Sequence, residues 1–293
     1  MAQILVNGIS VGSIYALLAV SLWIIFAPTR TFHLSHAIVY TTSGYALYLL
    51  HVKMDLHFLI SMLGAMVWAG LLGALIEYAV YSPMRRRGAT GLTLFVGSAA
   101  ILTMGTALIG LFFGEEPKGL NANARVVMQS PVVVLDRDLY AVGLVLLVGI
   151  GFPLVLKKTR WGQILRASMD NPRLAKCLNI NVDQIYLACF VVGSAILVLP
   201  LTLKVTAGGV GPEIGLGPTL TCFVAVIVGG LGSVNGAIIA GLLLGIFENV
   251  MLLWMSASWL DVIVFAILFI VLIFFPQGLR AGPKIRAHSL VGV

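Results

Sequence analysis

Charge is scarce in this chain. Asp, Glu, Lys and Arg together make up only 10% of its 293 residues. A soluble domain carries about a quarter of its residues as charges, so a soluble globular reading is excluded. Cysteine is also sparse: Cys177, Cys189 and Cys222 are an odd, scattered set that supports neither a disulfide framework nor metal-ligand spacing. There is no GxxxxGK[ST] loop, so ATP is not bound by that route, and no HExxH helix, which argues against an intramembrane zinc protease. Ser13, Ser98 and Ser194 follow glycines within apolar segments, and His33 and His36 stand at a helix break. No spacing ties a histidine to one of these serines, so an intramembrane serine enzyme has no sequence support. The opening MAQILVNG lacks a basic n-region, and the first span is expected to remain in the mature chain.

Long apolar runs dominate instead. The chain is 60% hydrophobic with a mean hydropathy of +1.05, which defines an all-α, polytopic integral membrane helical bundle. The lipid bilayer is therefore its medium. The net charge of +7 is not a nucleic-acid footprint, because twelve of the eighteen basic residues fall in three clusters. These are Arg85 to Arg87, the stretch 157–176, and the tail with Arg280, Lys284 and Arg286. All three can lie on one side of a membrane, the cytoplasmic one.

Residues 4–26 form the first span, with a small-residue seam at Gly8, Gly12 and Ala16. After the break APTRTFHLSH, which is either a cytoplasmic turn or an unwound segment inside the protein, 37–50 is apolar but marginally long. Spans follow at 58–81, 92–113, 139–156 and 184–203, the last expected to break near Pro200. Segment 114–138 reads as a long external loop. The stretch TAGGVGPEIGLGPT is too rich in Gly and Pro for helix, 219–231 is short, GGLGSVNG breaks the chain again, and 235–254 and 259–275 span. Counting both short segments gives nine crossings, N-terminus outside and C-terminus cytoplasmic; a re-entrant segment lowers the count to eight or seven. A single domain over 1–293 with about 8–9 transmembrane segments, some discontinuous, is expected. Two breaks, 205–217 and 229–236, flank a half-length apolar segment, the pattern of a discontinuous transporter helix. Asn7-Gly8 and Asn235-Gly236 open helices of opposite direction, a faint inverted repeat.

The most polar stretch, 157–182, reads KKTRWGQILRASMDNPRLAKCLNINV and holds six basic residues. Trp161, Ile164, Leu165, Ser168 and Met169 fall on one face of a short helix. Asn171 reads as an N-cap with Pro172 at the first helical position, Leu174, Cys177 and Leu178 repeat at helical spacing, and Asn179 is the stop. Two short amphipathic helices with an apolar stripe and a basic rim make a docking surface for a protein partner; contact with anionic lipid heads is the alternative. Within the spans, Glu77 is expected to pair with Arg85 to Arg87 or to snorkel. Glu248-Asn249 is expected to bond a neighbouring helix or line a cavity, and His36 to pack or to line a route. Lys204 and Glu213 flank the glycine-rich break and are expected to meet an external partner.

The segment FVAVIVGGLGSVNGAIIAGLLLGIFEN, 223–249, resembles the late segment of LivH-type permeases of the branched-chain amino acid ABC importer family. The match rests on Phe223, Gly229, Gly230, Gly232, Ser233, Gly236, Gly241, Gly245 and Glu248; Asn235 stands where that family often has Pro. The opening NGISVGSIYALLAVSL and the ending FFPQGLRAG are similar to the family's ends. In 157–182 the match is at Gly162, Arg166, Ala167, Pro172, Ala175, Ile180, Asn181 and Val182. The resemblance implies that this loop, including Trp161 and Arg173, couples to an ATPase subunit. It implies as partners a second permease subunit, homologous or identical, two cytoplasmic ABC ATPases and a periplasmic solute-binding protein, in a bacterial inner membrane. No cofactor is implied, and ATP hydrolysis belongs to the partner ATPases. One departure bears on the solute: the family's N-F-A-H-G-E is here His33-Leu34-Ser35-His36-Ala37-Ile38, which keeps only the histidine of its polar residues. The resemblance as a whole implies a branched-chain amino acid, but if this break helps line the route the departure points away from leucine, isoleucine and valine, toward a related small polar solute such as urea, a short amide or an aromatic acid. Asn7, His36, Gly229, Gly230, Gly232, Asn235 and Glu248 are the candidate pathway or helix-break residues. A secondary transporter or channel without ATPases is the rival reading.

Overall fold

A computed structural model describes residues 2–120, 126–128, 133–256 and 259–274. The expected basic tail with Arg280, Lys284 and Arg286 lies outside them. The described residues are helical almost throughout. Helix α1 (Ala2–Thr29) is followed by α2 (His36–Tyr48), which runs on through a π-helical turn at Leu49–Lys53. Helix α3 (Phe58–Ile76) continues through a second π-turn, Glu77–Tyr81, into α4 (Ser82–Arg86). Then come α5 (Gly91–Phe113), a two-stranded ribbon of β1 (Val126–Met128) and β2 (Val134–Leu135), and α6 (Asp136–Lys158). The short helices α7 (Arg160–Asp170) and α8 (Pro172–Cys177) lead to α9 (Val182–Gly208), α10 (Leu216–Gly229), α11 (Val234–Met251) and α12 (Leu260–Phe274). Among the described residues, six helices are long and apolar enough to cross a membrane, and α10 is a shorter apolar one. The chain is thus a multi-pass, all-α membrane protein. The 14 residues of α10 extend about 21 Å at 1.5 Å per residue, short of the ~30 Å hydrocarbon core.

Helix α1 is the axis of the bundle. It packs against α6, α9, α10 and α11, and its stretch Ala16 to Ala27 is buried without interruption. The closest of these contacts is antiparallel, with α11. A Cβ on Gly12 would meet the backbone of Leu242, and one on Gly241 the backbone of Ala16, at 2.6 and 2.7 Å. The seam read from Gly8, Gly12 and Ala16 is therefore a real contact face. In lipid, apolar burial gives helices no preference for one another, so this close backbone approach is what holds the pair. By contrast α3, α5 and α6 show large side chains such as Leu63, Leu71, Leu111 and Leu147 to the surroundings, as lipid-facing helices do.

The two ends of the bundle differ. Arg86 meets Asp183 at 3.4 Å and the Arg85 guanidinium lies over the Tyr186 ring, which brings the arginine cluster beside α7, α8 and the start of α9. This is the basic end. At the opposite end Gln3 exchanges two hydrogen bonds with the backbone of Val133, and Lys118 bridges Val210. Glu77 pairs with Arg85, so the span end is neutralised locally, as one of its two expected readings required.

Three boundaries depart from expectation. Helix α9 runs unbroken through Pro200 to Gly208, because the residue lies among packed helices that hold the turn in place. The glycine-rich breaks are correspondingly shorter, at 209–215 and 230–233. The expected external loop 114–138 contains the β-ribbon, and α6 already begins at Asp136, where Asp138 caps by accepting from the Leu135 N–H at 3.0 Å.

Candidate functional site

At the basic end, α7 and α8 form a capped pair. Thr159 caps α7 by accepting from the Gly162 N–H at 3.1 Å. Gly162 itself lies against the Leu156 backbone where no Cβ fits, so glycine is what lets α7 fold back under α6. Trp161 stacks edge-on to Phe152, which does the same to Trp23, tying α7 to α6 and α1. Leu165 and Ser168 are buried on the same side. The expected apolar docking stripe of α7 is therefore turned inward, against the protein's own helices. The sequence shows an amphipathic helix but not which body takes its apolar face.

What α7 and α8 expose is different. Asn171 caps α8, its Oδ1 accepting from the N–H groups of Arg173 and Leu174 at 3.1 and 3.0 Å. Asn179 closes the pair in the left-handed region at φ +60°, and Asn181 caps α9. Ala175 is buried, whereas Arg166, Pro172, Arg173 and Lys176 face outward. Among them stand Leu174 and Leu178, 58% and 67% exposed. Two bare leucines ringed by cations, on a base with each helix start capped, form a knob rather than a stripe.

The α1–α2 break is the second polar centre. Arg30 ends α1 in the left-handed region at φ +52°. The chain then turns inside the protein, with His33, Ser35 and His36 wholly buried. His33 Nδ1 lies 3.0 Å from the Tyr81 phenol and 3.1 Å from Ser35 Oγ, and Ser35 Oγ lies 2.9 Å from the same phenol. His36 Nε2 lies 3.1 Å from Ser21 Oγ on α1. Ser98 on α5 holds the turn by accepting from the Leu34 N–H at 3.3 Å and donating to the Phe32 carbonyl at 3.2 Å. Among the described residues, His33 Nε2, His36 Nδ1 and Ser194 Oγ are buried without a hydrogen-bond partner. Of the two expectations for the break, the unwound buried segment is the one observed.

A second break, 209–215, enters from the opposite end. Gly209 sits at φ +77°, and Val210 and Lys118 exchange backbone hydrogen bonds at 2.8 and 2.9 Å. The chain then descends to Gly215, which packs on the first turn of α2 where Ala37 and Thr41 leave no room for a Cβ. The starts of α2 and α10 therefore meet inside the protein, two interrupted helices entering from opposite ends. The third break, 230–233, turns on Gly230 at φ +91°, and Ser233 caps α11. Gly229 and Gly236 face each other backbone to backbone.

The remaining candidates scatter. Asn7 is exposed at the opposite end, where it accepts from Gln3 at 2.9 Å. Asn235 and Gly232 are exposed beside the 230–233 turn. Glu248 is 8% exposed and accepts from the Tyr15 phenol at 2.8 Å, between α11 and α1. Thus His36 is joined to a polar cluster, and Asn7, Gly232 and Asn235 are not part of it. Ser21, Tyr81 and Ser98 take part in it; Ser98 was read only as a serine after a glycine, and Ser21 and Tyr81 went unread, as did Tyr15, which bonds Glu248 elsewhere. Their partners lie 15 to 233 residues away, and each residue type is ordinary in an apolar helix.

Broken helices meeting inside a multi-pass bundle define a membrane transport protein. The profile of the family described as "Branched-chain amino acid transport system / permease component" matches residues 4–273, so the chain belongs to that family. It is 28% identical to the high-affinity branched-chain amino acid transport system permease protein LivH of Escherichia coli K12, over 97% of this chain and 96% of the relative. It is 29% identical to the corresponding protein BraD of Pseudomonas aeruginosa, with 97% of each covered. A shorter match, 26% over 43% of this chain and 37% of the relative, is to the fructose import permease protein FrcC of Rhizobium meliloti. The fold is similar to a solved structure, PsaBC from Streptococcus pneumoniae in complex with Fab, at TM-score 0.51 and 16% identity over 94% of this chain and 92% of that one.

Proposed function

We propose that this chain is the translocating permease subunit of an ATP-driven importer in a bacterial inner membrane. It carries branched-chain amino acids or a related small polar solute delivered by a periplasmic binding protein. The basic end faces the cytoplasm, the C-terminus lies on that side, and the opposite end receives the binding protein. The observation that carries this reading is the α8 knob: Leu174 and Leu178 bare among Arg166, Arg173 and Lys176 on a rigidly seated support. Exposed leucines in a polar loop need a partner protein, and the two cytoplasmic ATPases supply it.

A second permease subunit, homologous or identical, completes the membrane part. Closure of the ATPases pushes α7–α8, which are seated on α6 and α1, and α1 packs on α10 and α11 and reaches α2 through Ser21 and His36. The buried break at His33 to His36 is the part that rearranges, because unpaired buried polar atoms cost about 1–3 kcal/mol each and gain partners when the route opens to water or solute. Broken helices serve secondary transporters equally well, so the test is energetic. In proteoliposomes holding the copurified complex and the binding protein, uptake should require ATP inside or outside according to orientation and ignore ion gradients. Uptake that follows a proton or sodium gradient without ATP overturns the proposal in favour of a secondary transporter.

A further inference from the structure

A cleft outside the polar cluster carries a second inference. At the end opposite the basic one, α3 and α6 both pack on α9 but scarcely on each other. Between them a cavity of roughly 500 Å³ opens to the outside of the bundle, beside large apolar side chains that α3 and α6 leave exposed. Its walls are apolar: Phe58 and Met62 from α3, Leu144 from α6, Leu199 and Leu203 from α9. Its rim is polar, formed by Asp136, Arg137 and Tyr140 in the first turns of α6 with His57 at the start of α3. From Asp136 to Leu144 the cleft descends about 12 Å at 1.5 Å per residue, enough for a headgroup, a glycerol and the first methylenes of a chain.

The rim's charges are of both signs and incompletely paired. Arg137 approaches Asp138 only through Nε, at 3.9 Å, and among the described residues its terminal amino groups have no hydrogen-bond partner. Asp138 is already engaged by Ser10 Oγ at 2.7 Å and by the Leu135 N–H, so it is held to capping rather than to Arg137. Among the described residues, Asp136 accepts only from the backbone N–H of Arg137, at 2.7 Å, through Oδ1. A planar guanidinium with free forks is the group that binds a phosphate bidentately. A carboxylate beside it matches a primary ammonium, and a phenol at this level is the usual interfacial anchor.

We propose that this cleft is a binding site for a zwitterionic glycerophospholipid with a primary-amine headgroup. Its phosphate lies on Arg137 and Tyr140, its ammonium on Asp136, and one acyl chain runs between α3 and α6. The balanced rim selects this class over an anionic lipid, for which Asp136 is repulsive, and over a quaternary-amine lipid, which offers Asp136 no N–H donor. The inference stands independently of the ATPase-coupled reading, since it concerns the lipid surface alone.

The test is native mass spectrometry of the full chain, purified in detergent with whatever subunits accompany it. It is titrated separately with phosphatidylethanolamine, phosphatidylcholine and phosphatidylglycerol of the same acyl chains. We expect one retained phosphatidylethanolamine at concentrations about tenfold below those needed for the other two. Arg137→Ala should abolish that preference, Asp136→Asn should equalise the ethanolamine and choline lipids, and Leu144→Trp should fill the cleft and lower retention of all three. Arg87→Ala, at the other end, should leave retention unchanged. Thermal unfolding with and without the ethanolamine lipid controls for misfolded variants, because only a folded protein lacking the site loses the lipid-dependent rise in midpoint. Equal retention of the three lipids by the unaltered protein, preference for the anionic lipid, or unchanged retention in Arg137→Ala overturns the proposal. So does displacement of the bound lipid by a free amino acid, which makes the cleft a mouth of the transport route.

Discussion

Replacing Glu248 discriminates between a carboxylate that holds two helices together and one whose charge is used in the transport cycle. The residue is 8% exposed and accepts from Tyr15 at 2.8 Å across the α1–α11 seam. A hydrogen bond to a charged group is worth about 1.5–3 kcal/mol, and a neutral one about 1 kcal/mol. Glu248→Gln keeps an acceptor for the phenol, so it should lose only the difference, on the order of 1 kcal/mol. Glu248→Leu leaves the phenol without that acceptor, and Tyr15→Phe leaves the carboxylate without that donor; each should cost about 1–3 kcal/mol. The two groups touch, so their effects should not add: a double-mutant cycle should give a coupling of roughly 0.5–3 kcal/mol. The assays are unfolding of the purified protein in mild detergent, assembly of the complex by copurification, and solute uptake. Glu248→Gln should assemble and retain most uptake, while Glu248→Leu loses assembly. Zero coupling to Tyr15 refutes the bond as the source of stability. Uptake abolished by Gln in a complex that still assembles refutes the structural role and assigns the charge to the cycle.

Other perturbations follow from the same geometry. Gly245→Leu should prevent the α1–α11 approach, since a Cβ there already meets the Gly12 backbone, and should leave no assembled protein by copurification. Arg166→Glu reverses an exposed charge on the knob without touching the seam, so membrane insertion should be normal while uptake and ATPase copurification fall together; normal uptake at normal expression refutes the docking role. With Cys177, Cys189 and Cys222 replaced, a cysteine at Gln163 should resist an impermeant thiol reagent added outside whole cells and one at Glu116 should react. Swapped labelling overturns the orientation. His36→Ala removes the contact with Ser21 at the buried break, and the expected result is an assembled complex with uptake reduced at least tenfold; unchanged uptake removes the break from the route.

The sequence carried the local features because they have local causes. Asn171, Pro172 and Asn179 declare the ends of α8 within nine residues of one another, and the structure finds Asn171 capping and Asn179 in the left-handed region. The Gly8–Gly12–Ala16 seam was legible because small residues at a spacing of four have few other uses in lipid. Long-range features were not legible. Nothing near Trp161 or Leu165 states that the apolar face of α7 turns inward against Phe152, and nothing near His33 names Tyr81, 48 residues later, as its partner. Pro200 misled because the rule that proline breaks a helix describes an isolated one, and α9 is braced by α1 and α3 on either side.

The claim that most needs testing is that α8 meets an ATPase. A photo-crosslinking amino acid placed at Leu174, at Leu178 and, for comparison, at Leu71 on the lipid face of α3 reports it directly in native membranes. Adducts are expected from 174 and 178, but not from 71, to a protein bearing the GxxxxGK[ST] loop that this chain lacks, with yield that changes when ATP is trapped. Active uptake in the same membranes with no such adduct from either position would contradict it.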